Sequence, residues 1–372
     1  MSDIIISNLN IIKSFIRDTT IRRFIGVFTF WMSIGVLCTI CFSPYASIQK
    51  YCLLAVISVV IMLISCAIST EIHFQFFKLL WSISIILNSY LIFGLSVKGA
   101  KRWLIIKIMN LSISFQPSEI LKCSCLLLAI HYILRNQWLH FCTVYIISII
   151  LLILQPDFGN VILLSVMACT QLWIYQISIR SLLITFGLLL SSVLIASIFW
   201  PHIYKRIALF ISGPTRDIKG VGYQAIHSLF AIEQGGVFGK GLGYGVVKNM
   251  LPDAYSDFIF SVIVEELGMI GGLFVILSFL FLIIQCIICS KNMMNLKNRL
   301  YIVSISSILA LQAWVHISSC MFLIPPKGIC LPFISHGGSS LLANSFLYGI
   351  LLRFIYQSRQ QSFWTYRFKK EI

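Results

Sequence analysis

The chain has 372 residues, of which 59% are hydrophobic and only 11% are charged, and its formal net charge is +16. A mean hydropathy of +0.94 excludes a soluble globular domain, because so few charged side chains cannot cover a water-exposed surface. We expect a membrane-embedded protein with no nucleic-acid partner.

Long apolar runs follow one another along the chain. Most of them match or exceed the 17–25 residues with which a helix crosses a bilayer. A further run at 117–134 is interrupted only by Glu119 and Lys122. We therefore predict an all-α, polytopic membrane protein with about ten transmembrane helices, since a closed barrel would show short alternating segments instead. The nine charge-free runs are 24–49, 51–70, 79–97, 136–156, 158–179, 181–204, 267–290, 300–326 and 328–352.

The basic residues orient these spans. Ten spans place both termini on the same side, and Lys and Arg at both ends and in alternate short loops assign that side to the cytoplasm. This divides the chain into a cytoplasmic segment, 1–23, a transmembrane domain, 24–357, and a cytoplasmic tail, 358–372. One long connection, 201–257, then lies on the outer side.

The outer segment 201–257 holds nine of the 22 glycines. Its stretch GGVFGKGLGYG is not a P-loop, because Gly241 rather than Ser or Thr follows Lys240. It is either a flexible loop or a shaped rim over a cavity. Between the glycines, the apolar residues of 223–234 recur at helical spacing, which predicts a short amphipathic helix packed on the bundle or lying on the membrane.

Charged residues gather in the outer half of the predicted bundle. Eight of the twelve acidic residues and thirteen of the 28 basic residues lie on or near that side. The long segment explains some of this basic charge, because long loops cross the membrane regardless of charge. Mixed charge around apolar helices also suits an amphipathic, anionic substrate.

Five separated motifs resemble those of the SEDS proteins (FtsW, RodA and SpoVE) of bacterial cell-wall synthesis. They occur in the family's order, and the resemblance covers 24–357. The chain departs from the family pattern at Asp253, Tyr255, Ser256 and His336, where Glu, His, Thr and Tyr are usual. The motifs are GAKRWL (99–104), FQPSEILK (115–122), LQPDFGN (154–160), GYQAIHSLFAI…GKGLG with LPDAYSDFIFSVIVEELG (222–268), and PPKGICLPFISHGGSSLL (325–342).

The resemblance implies a peptidoglycan glycosyltransferase of the bacterial plasma (inner) membrane. Such proteins polymerise lipid II, a disaccharide-pentapeptide on undecaprenyl pyrophosphate, together with a class B penicillin-binding protein, the transpeptidase. Lys327 in its Pro-x-Lys-Gly pattern, and Lys248, are similar to the division branch. They imply work at the septum with other divisome proteins, and the elongation branch is the alternative.

Asp257 is the candidate general base for this transfer, because an attacking sugar hydroxyl is a poor nucleophile without one. It lies where the outer segment meets the next helix, at the height expected for a sugar head group. A helix cap is the alternative role of an Asp in that place. By the resemblance, this Asp is the residue that family members are thought to use.

The substrate-binding candidates lie in the four other motifs. Arg102 and Lys327 are expected to bind pyrophosphate, which Arg recognises through its planar fork. Lys122 either reaches the same group or forms a self-neutralising i, i+3 pair with Glu119. Asp157 lies at a helix break, where capping is the alternative. A divalent cation, Mg or Mn, is the cofactor this leaving group suggests, and no metal ligands can be named from the sequence.

Glu265 and Glu266 form an acidic pair inside an apolar stretch, where carboxylates are costly. On a regular helix Glu265 lies about 80° around the axis from Asp257 and about 12 Å deeper, so it can face the same cavity and contact substrate. Glu266 points nearly opposite and is expected to pair with another helix. A structural contact inside the bundle is the alternative for both.

Two other functional classes compete with an enzyme. A lipid II flippase needs polar residues across the whole membrane, whereas here they concentrate in the outer half. A non-catalytic scaffold for the transpeptidase would not need Asp257, Arg102 and Lys327 together. Both comparisons favour the glycosyltransferase.

Overall fold

The structure is a computed structural model that describes residues 18–42, 45–68, 73–93, 102–108, 111–180, 201–217, 220–291 and 295–371, with single positions 183, 187 and 293. Within these ranges the chain forms eleven α-helices and one two-stranded sheet. The predicted helical membrane fold is confirmed, and the sheet was not predicted from the sequence.

A β-hairpin separates the first three described helices from the eight that follow. Its strands, β1 (Leu104–Ile108) and β2 (Leu111–Phe115), are antiparallel, with Leu104 opposite Phe115. The helices, in chain order, are α1 (Thr19–Phe42), α2 (Tyr45–Ala67), α3 (His73–Ile92), α4 (Pro117–Leu134), α5 (Trp138–Leu154), α6 (Phe158–Ile174), α7 (Pro201–Ser212), α8 (Val221–Gly235), α9 (Ile259–Lys291), α10 (Leu296–Cys320) and α11 (Gly338–Glu371).

Seven of the described helices are long and apolar enough to cross a membrane, namely α1 to α4 and α9 to α11. Helices α5 and α6 are apolar but have 17 residues each. The predicted span at 181–204 lies almost entirely outside the described residues, so the described part of the chain neither reaches nor contradicts a count of ten.

Aromatic side chains join α1, α9 and α11 beneath the site. Trp31 is fully buried and stacks between Phe279 and Phe333, with ring centroids 4.4 and 5.3 Å away. The Tyr348 hydroxyl donates to the Phe24 carbonyl at 2.7 Å. Stacked pairs of this kind add about 0.5–1.5 kcal/mol to the free energy gained from burial, so they fix the helices that carry the outer loops.

Helix α8 confirms the short helix predicted at 223–234. Within the predicted apolar stripe, Ala225 is buried, whereas Phe230 is 44% exposed. A Cβ on Gly235 would overlap the Val264 carbonyl of α9, so only small side chains fit this contact. The buried face consists of Gly222, Ala225, Ser228, Ala231 and Gly235.

Helix α9 breaks at Gly268, which has φ 72° and ψ −176°. The break interrupts the hydrogen bonds between successive turns, and the glycine loop, which we define as residues 236–248, supplies replacements. Lys240 N and Gly241 N donate to the carbonyls of Glu265 and Glu266 at 2.9 and 3.0 Å. The loop is therefore a shaped element that completes a broken helix, as a buried helix end requires.

The other side of the break is closed in the same way. Met269 N and Ile270 N donate to the carbonyls of Gly236 and Val237 at 2.9 and 3.3 Å. The helix from the break to Lys291 is about 34 Å long at 1.5 Å per residue, close to the roughly 30 Å of a bilayer core. This part of α9 is therefore long enough to cross a bilayer core by itself.

Candidate active site

Five charged side chains converge at the end of the bundle formed by the outer segment, the hairpin and the loop between α10 and α11. Three are cations, Arg102, Arg206 and Lys327, and two are carboxylates, Asp157 and Asp257. Four of the five were predicted from the sequence as site residues, and Arg206 was not. We call these five residues the charged cluster.

Asp157 occupies the N-cap position of α6, yet its side chain makes no capping hydrogen bond to the described helix. Its Oδ2 instead accepts from Gln116 Nε2 at 3.3 Å, Ser118 Oγ at 3.1 Å and Asn160 Nδ2 at 2.9 Å. Its Oδ1 lies 3.6 Å from Arg102 Nη1. The carboxylate therefore ties the start of α4 to the charged cluster, and the capping alternative does not describe it.

Arg102 is held against the turn that leads into α6. Its Nε donates to the Gln155 carbonyl at 3.2 Å, and its Nη2 donates to the Pro156 carbonyl. About a quarter of its side chain is exposed. Two backbone carbonyls and one carboxylate thus fix the guanidinium while one edge stays open to a ligand.

Lys327 and Arg206 lie together although they are far apart in sequence. Arg206 of α7 donates through Nη1 to the Pro326 carbonyl at 2.6 Å, and the Lys327 ammonium lies 5.7 Å from the centre of the Phe158 ring. Burial, together with the charges of Arg206 and Arg102, lowers the pKa of Lys327 to about 8. An anion bound among these cations would relieve that repulsion.

Asp257 lies two residues before the first residue of α9. Its backbone N–H donates to the Asp253 carbonyl at 2.9 Å. Its carboxylate faces the loop that carries Lys327, because a Cβ on Gly328 would lie only 2.6 Å from Asp257 Oδ2. Glycine at 328 thereby leaves room for this carboxylate beside the basic loop.

Two hydrogen bonds join the Asp257 turn to the loop between α10 and α11. His336 N donates to the Tyr255 carbonyl at 2.9 Å, and Ser335 Oγ donates to the Ser256 carbonyl at 2.7 Å. Tyr255 and His336, two of the departures from the family pattern, are therefore neighbours in the fold. The hydrogen bond from His336 N to the Tyr255 carbonyl joins the two backbones and does not depend on either side chain.

Glu119 and Lys122 form the predicted i, i+3 pair on α4. Lys122 Nζ lies 2.7 Å from Glu119 Oε2 and donates to Gln312 Oε1 at 3.1 Å. The lysine is fully buried and the glutamate is 6% exposed. The ammonium is thus bound between α4 and α10, and the structure does not bring it to the open edge of the charged cluster.

Glu265 and Glu266 lie under the glycine loop. Glu265 Oε1 accepts from Val246 N and Val247 N at 2.7 and 3.0 Å, and the residue is fully buried. Glu266 pairs with Lys248 Nζ at 2.9 Å, so its partner is this loop and not another helix as expected. The structure does not place Glu265 among the charged cluster, where a substrate contact was expected.

No group of three or more His, Cys, Asp or Glu side chains in the described residues is arranged to hold a metal ion. The candidate donors Asp157 and Asp257 are accompanied by three cations instead. These cations can neutralise an anionic leaving group themselves. Use of Mg or Mn stays a prediction.

Residues 14–360 match the family described as Cell cycle protein, FTSW_RODA_SPOVE. A protein of Buchnera aphidicola (subsp. Schizaphis graminum) named Probable peptidoglycan glycosyltransferase FtsW is 36% identical in an alignment of 289 residues that covers 74% of this chain and 80% of that protein. The protein of the same name from Francisella salina is 32% identical in an alignment of 338 residues that covers 85% of this chain and 82% of that protein.

Two solved structures share the fold at low identity. One comes from work titled "Structural coordination of polymerization and crosslinking by a peptidoglycan synthase complex", with a TM-score of 0.73, 19% identity, and coverage of 91% of this chain and 98% of that one. The other is the rod shape determining protein RodA of Thermus thermophilus, with a TM-score of 0.66, 19% identity, and coverage of 90% and 96%. At these identities they establish the fold alone.

Proposed function

The chain belongs to the family of FtsW, RodA and SpoVE cell cycle proteins, and we propose that it polymerises lipid II as the peptidoglycan glycosyltransferase of septal wall synthesis. The observation that supports this most directly is the charged cluster, in which Arg102, Arg206 and Lys327 face the carboxylate of Asp257. It combines a place for an anionic leaving group with a candidate base.

The cations suit the pyrophosphate of a lipid-linked donor. Charge-assisted hydrogen bonds from Arg and Lys to phosphate oxygens are stronger than neutral ones. Arg102 is already oriented by the carbonyls of Gln155 and Pro156, so it needs little reorganisation when charge develops on the leaving group. Pre-positioned charge of this kind is often the largest single contribution to catalysis.

Asp257 suits the acceptor side of the same reaction. The acceptor's sugar hydroxyl must lose its proton as it attacks the anomeric carbon, and a positioned carboxylate can accept it. The carboxylate lies against the loop that carries Lys327, so base and leaving-group site are neighbours. Asp157 has a different role in this scheme, because it holds Arg102 and favours the protonated form of Lys327.

The apolar helices complete the match with an amphipathic substrate. A polyprenyl tail can lie along the bundle while pyrophosphate and sugar reach the charged cluster at its end. Relatives named as transferases, at 36% and 32% identity, favour this reading over a flippase. Their shared name, FtsW, favours the division branch over the elongation branch.

We infer a partner and a location from the same relationships. The neighbour in a peptidoglycan synthase complex supports a class B penicillin-binding protein as partner. The seven long apolar helices make this a multi-pass membrane protein. Placement in the bacterial plasma membrane, at the septum, with other divisome proteins and with both termini in the cytoplasm, belongs to the proposal.

Reconstitution with the cognate transpeptidase tests the function. The complex is placed in lipid vesicles with fluorescent lipid II, and glycan products are separated by size. Glycan strands support the polymerase. Lipid II that changes leaflet without polymerising identifies a flippase, and neither outcome with an intact complex identifies a scaffold.

A further inference from the structure

We propose that Glu265 and Glu266 are positioning residues for Asp257, acting through the glycine loop. This rests on the proposed function, because it assumes that the place of Asp257 limits the rate. The two carboxylates would hold the loop, and the loop would hold the turn that presents Asp257.

The carboxylates stand where helix physics disfavours them. They occupy the last turn before the break at Gly268, the negative end of the short first part of α9, which repels anions. Both are also buried, and burying a carboxylate is costly unless it is paired or hydrogen-bonded. Their contacts with the glycine loop offset that cost, so the pair is best explained by what the loop requires.

The pair binds the loop at several points. Glu266 accepts from Gly243 N at 2.7 Å and from Lys248 Nζ at 2.9 Å. The same ammonium donates to the Gly243 carbonyl at 2.9 Å. Gly245 lies directly over both acids, because a Cβ there would be 2.9 Å from Glu265 Oε2 and from Glu266 Oε1. The backbone from 243 to 248 is thus fixed to α9.

Successive backbone hydrogen bonds between residues 247 and 257 connect the glycine loop to Asp257. The series starts at Val247, whose N–H is held by Glu265 and whose carbonyl accepts from Leu251 N at 3.0 Å. Ala254 N then donates to the Leu251 carbonyl at 3.3 Å, and Asp257 N donates to the Asp253 carbonyl at 2.9 Å. Loss of the hydrogen bond between Val247 N and Glu265 would therefore free one end of the segment that positions the Asp257 carboxylate.

Glu265 offers a matched pair of substitutions. Only its Oε1 is used by the loop, and its buried Oε2 has no hydrogen-bond partner among the described residues. Glu265→Gln therefore keeps an oxygen for the two N–H groups and loses only the longer, 3.7 Å ion pair with Lys240 Nζ, whereas Glu265→Ala removes both. In the complex with the transpeptidase, we expect Ala to lower kcat by about 10- to 100-fold, the scale of a misplacement of about 1 Å. We expect Glu265→Gln to keep most of the wild-type kcat. The KM for lipid II should change little in either variant.

Hydrogen exchange gives a readout that does not depend on activity. Faster exchange confined to 241–257 is expected in Glu265→Ala and not in Glu265→Gln. Gly245→Ala is a second variant, which presses on the carboxylates without removing them and should also lower kcat. Gly26→Ala is its control, because a Cβ there would meet no atom of the described chain within 4 Å beyond the local backbone of its own helix.

The possible results separate the two proposals. Wild-type kcat in both Glu265→Ala and Gly245→Ala, or equal losses in the Ala and Gln variants of Glu265, would overturn the positioning role. If the wild-type complex makes no glycan, the proposed function fails. In that case exchange in 241–257 still decides whether the carboxylates hold the turn.

Discussion

The activity of the wild-type complex should fall as the pH rises through the pKa of Lys327. The pKa of this lysine is lowered to about 8 by burial and by Arg206 and Arg102. Only the protonated form can neutralise pyrophosphate. Activity is therefore highest below the pKa, because raising the pH above it removes the charge that the leaving group needs.

The expected fall in kcat/KM is about tenfold between pH 7 and pH 9. With a pKa of about 8, roughly nine-tenths of the free enzyme carries the proton at pH 7 and roughly one-tenth at pH 9. The ratio kcat/KM reports the free enzyme and follows this protonated fraction. Bound pyrophosphate favours the protonated lysine, so kcat should fall only at higher pH.

The assay is glycan formation from fluorescent lipid II, measured at low substrate concentration across pH 7–9. Lys327→Arg should flatten the profile, since a guanidinium keeps its charge over this range. Lys327→Met should lower kcat/KM and flatten it too. Lys205→Arg, at an exposed position of α7, is the matched control, and its kcat/KM should fall with rising pH as in the wild type. A flat wild-type profile, or an unchanged fall in Lys327→Arg, would refute the assignment.

Three further outcomes are expected. Asp257→Asn should lower glycan output by about 10²–10⁴-fold, the usual contribution of a general base. Asp253→Asn, in the same turn at φ 58°, should lower it little, and comparable losses in both would remove Asp257 as the base. His316→Leu should destabilise the fold by about 1–3 kcal/mol in thermal unfolding by leaving the Ile329 carbonyl unpaired, whereas His316→Asn keeps a donor for that 2.7 Å bond and should unfold near wild type. Depletion in the native host should give filaments without septa, and round cells with intact septa would assign the elongation branch.

Composition and periodicity were enough to predict the helical membrane fold and the helix in the outer segment, because both depend on local sequence. The β-hairpin was missed although LSISF, at 111–115, alternates apolar and polar residues, as a half-buried strand does. Short alternating segments between long apolar runs are therefore worth testing for strands in membrane proteins.

The parts of the site that sequence reasoning missed depend on contacts between distant segments. Arg206 was one of many outer basic residues, and only its bond to the Pro326 carbonyl, 120 residues away, places it beside Lys327. On one regular helix, Glu266 would point nearly opposite Asp257, and it was therefore expected to pair with another helix. The break at Gly268 instead brings back a loop from about 20 residues earlier in the chain.

The charged cluster can attract an anion because it holds three cations and two carboxylates, while three nearby acids are engaged outside it. Glu119 is paired with Lys122, and Glu266 is paired with Lys248. Glu265 accepts hydrogen bonds from the glycine loop, whereas Asp157 belongs to the cluster and pairs there with Arg102. These ion pairs and hydrogen bonds thus neutralise or occupy carboxylates inside the fold. Arg206, in contrast, contacts a backbone carbonyl, and Lys327 lies over an aromatic ring. The excess positive charge faces the place where a phosphate-bearing lipid would arrive, which is why the pH dependence of Lys327 tests the whole arrangement.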